Sequence, residues 1–158
     1  MGAPPNQPEV KPRMTKVIVQ SLPDYALAQL LVSDGRAMVA DEPRAAGGDD
    51  LGPNPYELLA WALGACTAMT LQIYARRKGY PLEAVAVEVE HNRIHARDCE
   101  DCEGEREGYI DVFERRIVVQ GPLDDAQRDD LLRVARKCPV HKTLTSSPHV
   151  RDRIDVVA

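Results

Sequence analysis

A chain of 158 residues with 44% apolar and 28% charged side chains has the size and composition of one packed globular domain. Its net charge of -5 argues against a nucleic-acid partner, because no basic excess exists to neutralise phosphates. The N-terminus (MGAPPNQP) lacks the apolar core of a secretory signal, and the longest apolar run, 58–69, is shorter than the roughly 20 residues that span a bilayer. A cytoplasmic protein with no membrane partner is therefore expected. In that reducing setting four cysteines read as redox-active, metal-binding or simply buried, not as a disulfide framework.

The first 13 residues form a Pro-rich arm expected to be flexible, leaving 14–158 as a single domain. A β-branched run at 14–20 predicts a first strand, and Ser21-Leu22-Pro23-Asp24 a turn. Residues 25–32 predict a second strand, Ser33-Asp34-Gly35 a tight hairpin and 36–41 a third strand. A Gly- and Asp-rich loop follows. Asn54 then suits an N-cap, Pro55 the first helical position and Glu57 the third, where its carboxylate reaches back to the cap. The pattern runs to Lys78, with Gly79 and Pro81 as stop signals. Over 58–69 nearly every residue is apolar or small, so this helix lacks a solvated face. A helix that is apolar all round must be covered all round. One small sheet covers one side, so a homodimer built on this helix is expected.

Alternation over 84–94 predicts a strand, paired with 109–119 across an acidic loop. Asp124 or Asp125 caps a second helix whose apolar positions include Leu131, Leu132, Val134, Ala135 and Cys138, with Pro139 as its end. A strand at 150–156 closes the chain. The order β-β-β-α-β-β-α-β with hairpin links predicts an α+β fold. Two basic clusters, Arg76-Arg77-Lys78 and Arg133 with Arg136-Lys137, fall in last helical turns, where cations complement the dipole. His91, His95, Cys99 and Cys102 offer four nitrogen and sulfur ligands within twelve residues. That spacing suits a structural zinc, and a solvated acidic loop or a local disulfide explains it as well.

The stretch Gly52-Pro53-Asn54-Pro55-Tyr56-Glu57-Leu58-Leu59, with Ala62-Leu63-Gly64-Ala65-Cys66-Thr67-Ala68-Met69-Thr70-Leu71, resembles the central-helix signature of the OsmC/Ohr family. Lys137-Cys138-Pro139-Val140-His141-Lys142-Thr143-Leu144 resembles its second-cysteine motif, and Gly47-Gly48 falls where the family has a glycine pair. The resemblance spans about 15–158. It implies an intertwined dimer, antiparallel sheets wrapped around paired central helices, and thiol-based hydroperoxide reduction with no catalytic cofactor. Cys66 matches the peroxidatic position and Cys138 the resolving one. Their disulfide would be reopened by a dithiol reductant.

The family's activating Glu position is occupied here by Tyr56, with Glu57 one step later, and its Arg position falls near Ala26. This marks a divergent subfamily. Candidate substitutes for the activating group are Glu57, Arg36, Arg44, His141 and Lys142. Tyr56, Trp61 and Met69 are candidate pocket residues and equally candidate core. Cys66, mid-helix among apolar neighbours, would by default be a small buried hydrophobe. The rival to a peroxidase is a non-enzymatic, ligand- or zinc-binding dimer of the same fold.

Overall fold

Asp34 and Gly35 both take positive φ, 48° and 74°. That is the pair of left-handed residues a two-residue hairpin requires. In this computed structural model, which describes residues 15–99 and 108–156, the hairpin joins β2 (Gln29–Ser33) to β3 (Arg36–Ala40). The proline-rich arm at 1–13 lies outside the described residues. The chain divides into two compact units, Met1–Pro55 and Tyr56–Ala158.

In the first unit β1 (Ile18–Ser21) pairs antiparallel with β2, and β2 with β3, in the register Ile18↔Val32 and Leu31↔Met38. The second strand starts four residues later than its sequence suggests. Tyr25 N–H closes a turn on the Leu22 carbonyl (3.1 Å), and Leu22 N–H bonds the Ala28 carbonyl (3.0 Å), so the Pro23-Asp24 turn consumes the segment before Gln29. Past β3, the buried Asp41 carboxylate accepts the amides of Glu42 (2.8 Å), Asp49 (3.0 Å) and Leu51 (3.3 Å). Burial pushes this carboxyl up, but the converging amides outweigh it and hold Asp41 below the usual carboxylate range. The loop folds back so tightly that a Cβ on Gly48 would collide with the Glu42 carbonyl, which explains the glycine there.

The second unit is built on α1 (Pro55–Lys78), whose limits match the Pro55 and Gly79 signals. Gly79 sits at φ 68°, and the Tyr80 amide returns to the Ala75 carbonyl (2.9 Å), a left-handed helix stop. Leu63, Gly64, Thr67, Leu71 and Ala75 form its buried face. The opposite face is bare in the single chain: Trp61, Met69 and Ile73 are each 60% exposed. The helix is 24 residues long and holds an 18-residue window of mean hydropathy 1.4, enough to cross a bilayer by length and composition, which the run at 58–69 alone understates.

Against α1 lies a two-stranded ribbon, β4 (Ala84–His95) and β5 (Tyr109–Gln120), paired from Ala84↔Gln120 to His95↔Tyr109. α2 (Asp125–Ala135) opens with a full capping box between Asp124 and Gln127. Leu71, Ala75, Leu123, Leu131, Val134 and Ala135 form the core between these elements. Asp130 ties α2 to the end of α1 by accepting the phenols of Tyr74 (2.6 Å) and Tyr80 (3.0 Å) and pairing with Arg133. The Tyr74 hydroxyl, then Arg133, hold its pKa down at about 2 despite some desolvation.

Two expectations are corrected at the C-terminus. Pro139 does not end a helix; α2 stops at Ala135, and Pro139 opens a further helix, α3 (Pro139–Thr145), with Cys138 as its N-cap. Proline lacks the N–H that a first helical position leaves unbonded, so the same residue suits a start. The expected strand at 150–156 is absent among the described residues: Val150, Ile154 and Val156 are 74%, 90% and 92% exposed and have no strand to pair with. The described order is therefore β-β-β-α-β-β-α-α, still α+β with antiparallel sheets.

Candidate functional site

Period-two alternation along β5 puts Phe113, Arg115, Ile117 and Val119 on the side of the ribbon that meets α1 and the core. Arg115 is thus a cation on an otherwise apolar face, opposite Val89 of β4. Gly64 lets the helix approach that strand, since a Cβ there would stand 3.3 Å from Val89 Cγ2. One turn along, Thr67 turns fully buried toward Arg115 and accepts a bond from Nη1 at 2.8 Å. The guanidinium also donates to the Ala135 carbonyl at the end of α2 (3.3 Å) and to His141 Nδ1 of α3 (3.1 Å). Arginine can only donate, so Nδ1 of His141 is the acceptor and is unprotonated. Burial, then Arg115 and Arg136, push the imidazole pKa down, which keeps His141 neutral. Among the described residues Arg115 belongs to no ion pair, so its charge is tethered by neutral acceptors alone.

That charge faces the cysteines. Cys138 is fully buried and its sulfur accepts the His141 amide at 3.3 Å. The Thr67 hydroxyl lies 3.7 Å from the same sulfur, and the Cys66 thiol adds a side-chain hydrogen bond. Burial raises the pKa of Cys138, but the His141 amide, Thr67, Cys66 and the Arg115 charge together bring it below the ordinary thiol range. Cys66, one residue before Thr67 on α1, is half-buried. It stands at the margin between the buried face and the exposed apolar stripe of Leu59, Met69 and Ile73. Both cysteines are free thiols. The arrangement is a half-exposed thiol in contact with a buried, cation-stabilised one, as a dithiol–disulfide pair requires.

The sequence-based candidates separate accordingly. Cys66, Cys138 and His141 are brought together. Lys142 meets the site only through its backbone, donating to the Cys138 carbonyl at 3.1 Å, while its side chain is exposed. Glu57 lies exposed in the first turn of α1, and Arg36 and Arg44 belong to the first unit, at the start of β3 and of a 3-10 helix. Trp61 lines a groove of about 490 Å³ with Ala60, Gly64, Ala65, Ala68, Val87 and Val89, and Met69 projects outward. Tyr56 instead stacks on His91 (centroids 4.2 Å apart), which also packs on Phe113 and bonds Asp111 at 3.0 Å. Arg115 was missed by sequence reasoning. Its signal was there: the same alternation that puts Phe113, Ile117 and Val119 inward puts an arginine among them.

The zinc candidates are only partly described, because Cys102 lies outside the described residues. His91 is engaged as above, His95 Nδ1 accepts the Arg97 amide (3.3 Å), and Cys99 is disulfide-bonded. No group of three or more metal-ligating side chains converges among the described residues.

Solved structures with the same architecture include an organic hydroperoxide resistance protein OsmC from Legionella pneumophila (TM-score 0.64, 18% identity, 84% of this chain and 90% of that one). Others are a putative osmotic stress induced and detoxification response protein from Psychrobacter arcticus (TM-score 0.64, 22% identity, 85% and 90%) and the organic hydroperoxide resistance protein OhrB of Bacillus subtilis (TM-score 0.58, 20% identity, 84% and 91%). At these identities the likeness is one of fold. No functionally curated sequence matches the chain. The family model described as OsmC-like protein matches residues 47–151, which takes in the glycine pair, α1, the ribbon, Arg115 and both free cysteines. By that match over more than half its length, the chain belongs to the OsmC-like protein family.

Proposed function

We propose that the protein reduces hydroperoxides through a dithiol cycle on Cys66 and Cys138. The observation that carries this reading is the contact between two free cysteines from distant parts of the chain beside an arginine that carries no carboxylate partner among the described residues. Cys66 thiolate attacks the O–O bond and becomes a sulfenic acid, and the alkoxide leaves as an alcohol. Cys138 then condenses with the sulfenic acid to a disulfide, and an external dithiol restores both thiols. The Legionella and Bacillus proteins of the same fold are named for organic hydroperoxide resistance, which supports peroxide as the oxidant class. An apolar peroxide suits the groove beside Trp61 and the stripe of Leu59, Met69 and Ile73. That stripe also supports a homodimer, since a second copy would cover it. We place the enzyme in the cytoplasm, where thiols stay reduced.

Peroxide consumption with a dithiol reductant tests the proposal in wild type, Cys66→Ser and Cys138→Ser. The expected result is loss of multiple turnover in both variants. Equal rates in all three proteins would sink the reading.

A further inference from the structure

The contacts of Arg115 fall on the side of Cys138, which is fully buried, while the half-exposed Cys66 is the sulfur a peroxide can reach. A cation and an amide donor gathered at the sealed thiol divide the labour differently from a simple activated Cys66. We propose that the resting pair shares one proton, carried on the Cys66 sulfur, with Cys138 the thiolate held by Arg115, so that Cys138 is the base that activates Cys66 and Arg115 positions the charge.

Hydrogen-bond accounting supports this. Around the Cys138 sulfur stand the Cys66 thiol and Thr67 hydroxyl from α1, the Arg115 charge from β5, and the His141 amide and neutral imidazole from α3. Arg136, at the end of α2, acts on His141. Arg115 has three acceptors, Thr67 Oγ1, the Ala135 carbonyl and His141 Nδ1, none of which is anionic. An unneutralised guanidinium in a mostly buried setting favours one negative charge beside it. A thiolate on Cys138 accepts from the His141 amide and the Cys66 thiol at once, with the Thr67 hydroxyl, which donates to the Leu63 carbonyl at 2.7 Å, beside the sulfur at 3.7 Å. A protonated Cys138 would accept the same amide more weakly, since an ionised acceptor makes the stronger bond.

The cycle then balances. The Cys66 proton passes to Cys138, giving Cys66 thiolate and Cys138 thiol. Cys66 thiolate takes the terminal oxygen of ROOH, forming Cys66 sulfenic acid and RO⁻ with two-electron oxidation of sulfur. The alkoxide recovers the proton from Cys138 and leaves as ROH, which regenerates the Cys138 thiolate. That thiolate attacks the sulfenic sulfur and expels hydroxide, forming the Cys66–Cys138 disulfide. One proton thus serves both to uncover the attacking thiolate and to protonate the leaving group, and Cys138 becomes the resolving nucleophile when it is needed.

This assignment rests on the dithiol cycle above, and a titration of ultraviolet thiolate absorbance reads it separately from turnover. The parent is the reduced full chain carrying Cys99→Ser and Cys102→Ser. Cys66→Ser in that background should retain a thiolate that persists below the free-cysteine pKa of about 8.5. Cys138→Ser should lose it. Arg115→Met should move the Cys66→Ser titration to higher pH, and Arg115→Lys should restore most of it, which a merely structural loss would not do. Retention of the low titration in Cys138→Ser, or an Arg115→Met protein that is folded by circular dichroism with an unchanged titration, overturns the assignment. An unfolded Arg115→Met protein shifts the decision to Arg115→Lys and the two cysteine variants, whose titrations decide alone. If the titrations behave as expected but wild type consumes no peroxide, the cycle fails and the charge assignment stands.

Discussion

Replacing Thr67 by valine exchanges a hydroxyl for a methyl of similar size at a fully buried position. Packing changes little, whereas three hydrogen-bond relations disappear: to the Leu63 carbonyl (2.7 Å), from Arg115 (2.8 Å) and with the Cys138 sulfur (3.7 Å). The Leu63 carbonyl retains a main-chain helical partner, so that loss is minor. Arg115 Nη1 retains only the Ala135 carbonyl at 3.3 Å. A bond to a charged group contributes ~1.5–3 kcal/mol, and the surviving acceptor puts the expected destabilisation near the low end, about 1.5–2 kcal/mol. In a chain of this length that lowers Tm by about 3–8 °C. The long contact to sulfur is worth ~1 kcal/mol, so on the acid side of its titration the Cys138 thiolate population falls by about fivefold. Urea unfolding and thiolate absorbance in the Cys66→Ser background measure the two effects. Thr67→Ser is the control: it loses a buried methyl, at a cost of about 1 kcal/mol, and keeps the hydroxyl, so its stability falls while its titration holds. A Thr67→Val protein with the parental titration, or a Thr67→Ser protein with a shifted one, would refute the role given to this hydroxyl.

Three further outcomes are expected. Gly64→Val drives methyls into Val89, whose Cγ2 already stands 3.3 Å from the ideal Cβ position, so overpacking of about 1–3 kcal/mol is expected in urea unfolding, with slower peroxide turnover as α1 lifts from β4 and Thr67 from Arg115. Asp130, held at about 2 against an ordinary 3.8, contributes stability that is fully present above about pH 4 and is lost as the pH falls through 2; Asp130→Asn should flatten the acid limb of Tm against pH, and an unchanged limb would show that the Tyr74–Asp130–Tyr80 tie does not matter. The His91, His95, Cys99 and Cys102 zinc proposal is read by metal analysis of protein kept chelator-free: with His91 bonded to Asp111 and Cys99 in a disulfide, well under one zinc per chain is expected, and full occupancy abolished by Cys99→Ser would establish the four-ligand site.

Elements with local punctuation were legible. Pro55 and Gly79 bracket α1, Asp34-Gly35 sets the first hairpin, and strict alternation sets β4 and β5, because each signal acts within a few residues of the structure it produces. Failures came where one residue type serves opposite purposes. Pro139 reads equally as a stop and as a first helical residue, and only the break after Ala135 decides between them. The β-branched residues at 150–156 have strand propensity but no pairing among the described residues, and propensity without a neighbouring edge makes no strand.

Arg115 is the more instructive omission. The resemblance directs attention to Ala26 and Tyr56, the positions where related chains keep an arginine and a carboxylate, and to cations next to the cysteines in sequence. Electrostatic activation has no such requirement. A charge lowers a thiol's pKa from any element within several ångströms, and here β5 acts on Cys138, which lies beyond α2 in the chain. What makes Arg115 effective is its position on the apolar side of a ribbon. The paired Val89, with Phe113 and Ile117 on either side, leaves it half-buried beside apolar side chains, and three uncharged acceptors hold it without cancelling it. Arg116, the next residue, points to solvent opposite Glu88 and has no such influence. The difference between the two arginines is one step in a period of two, which is why the site depends on the register of β5 as directly as on the cysteines themselves.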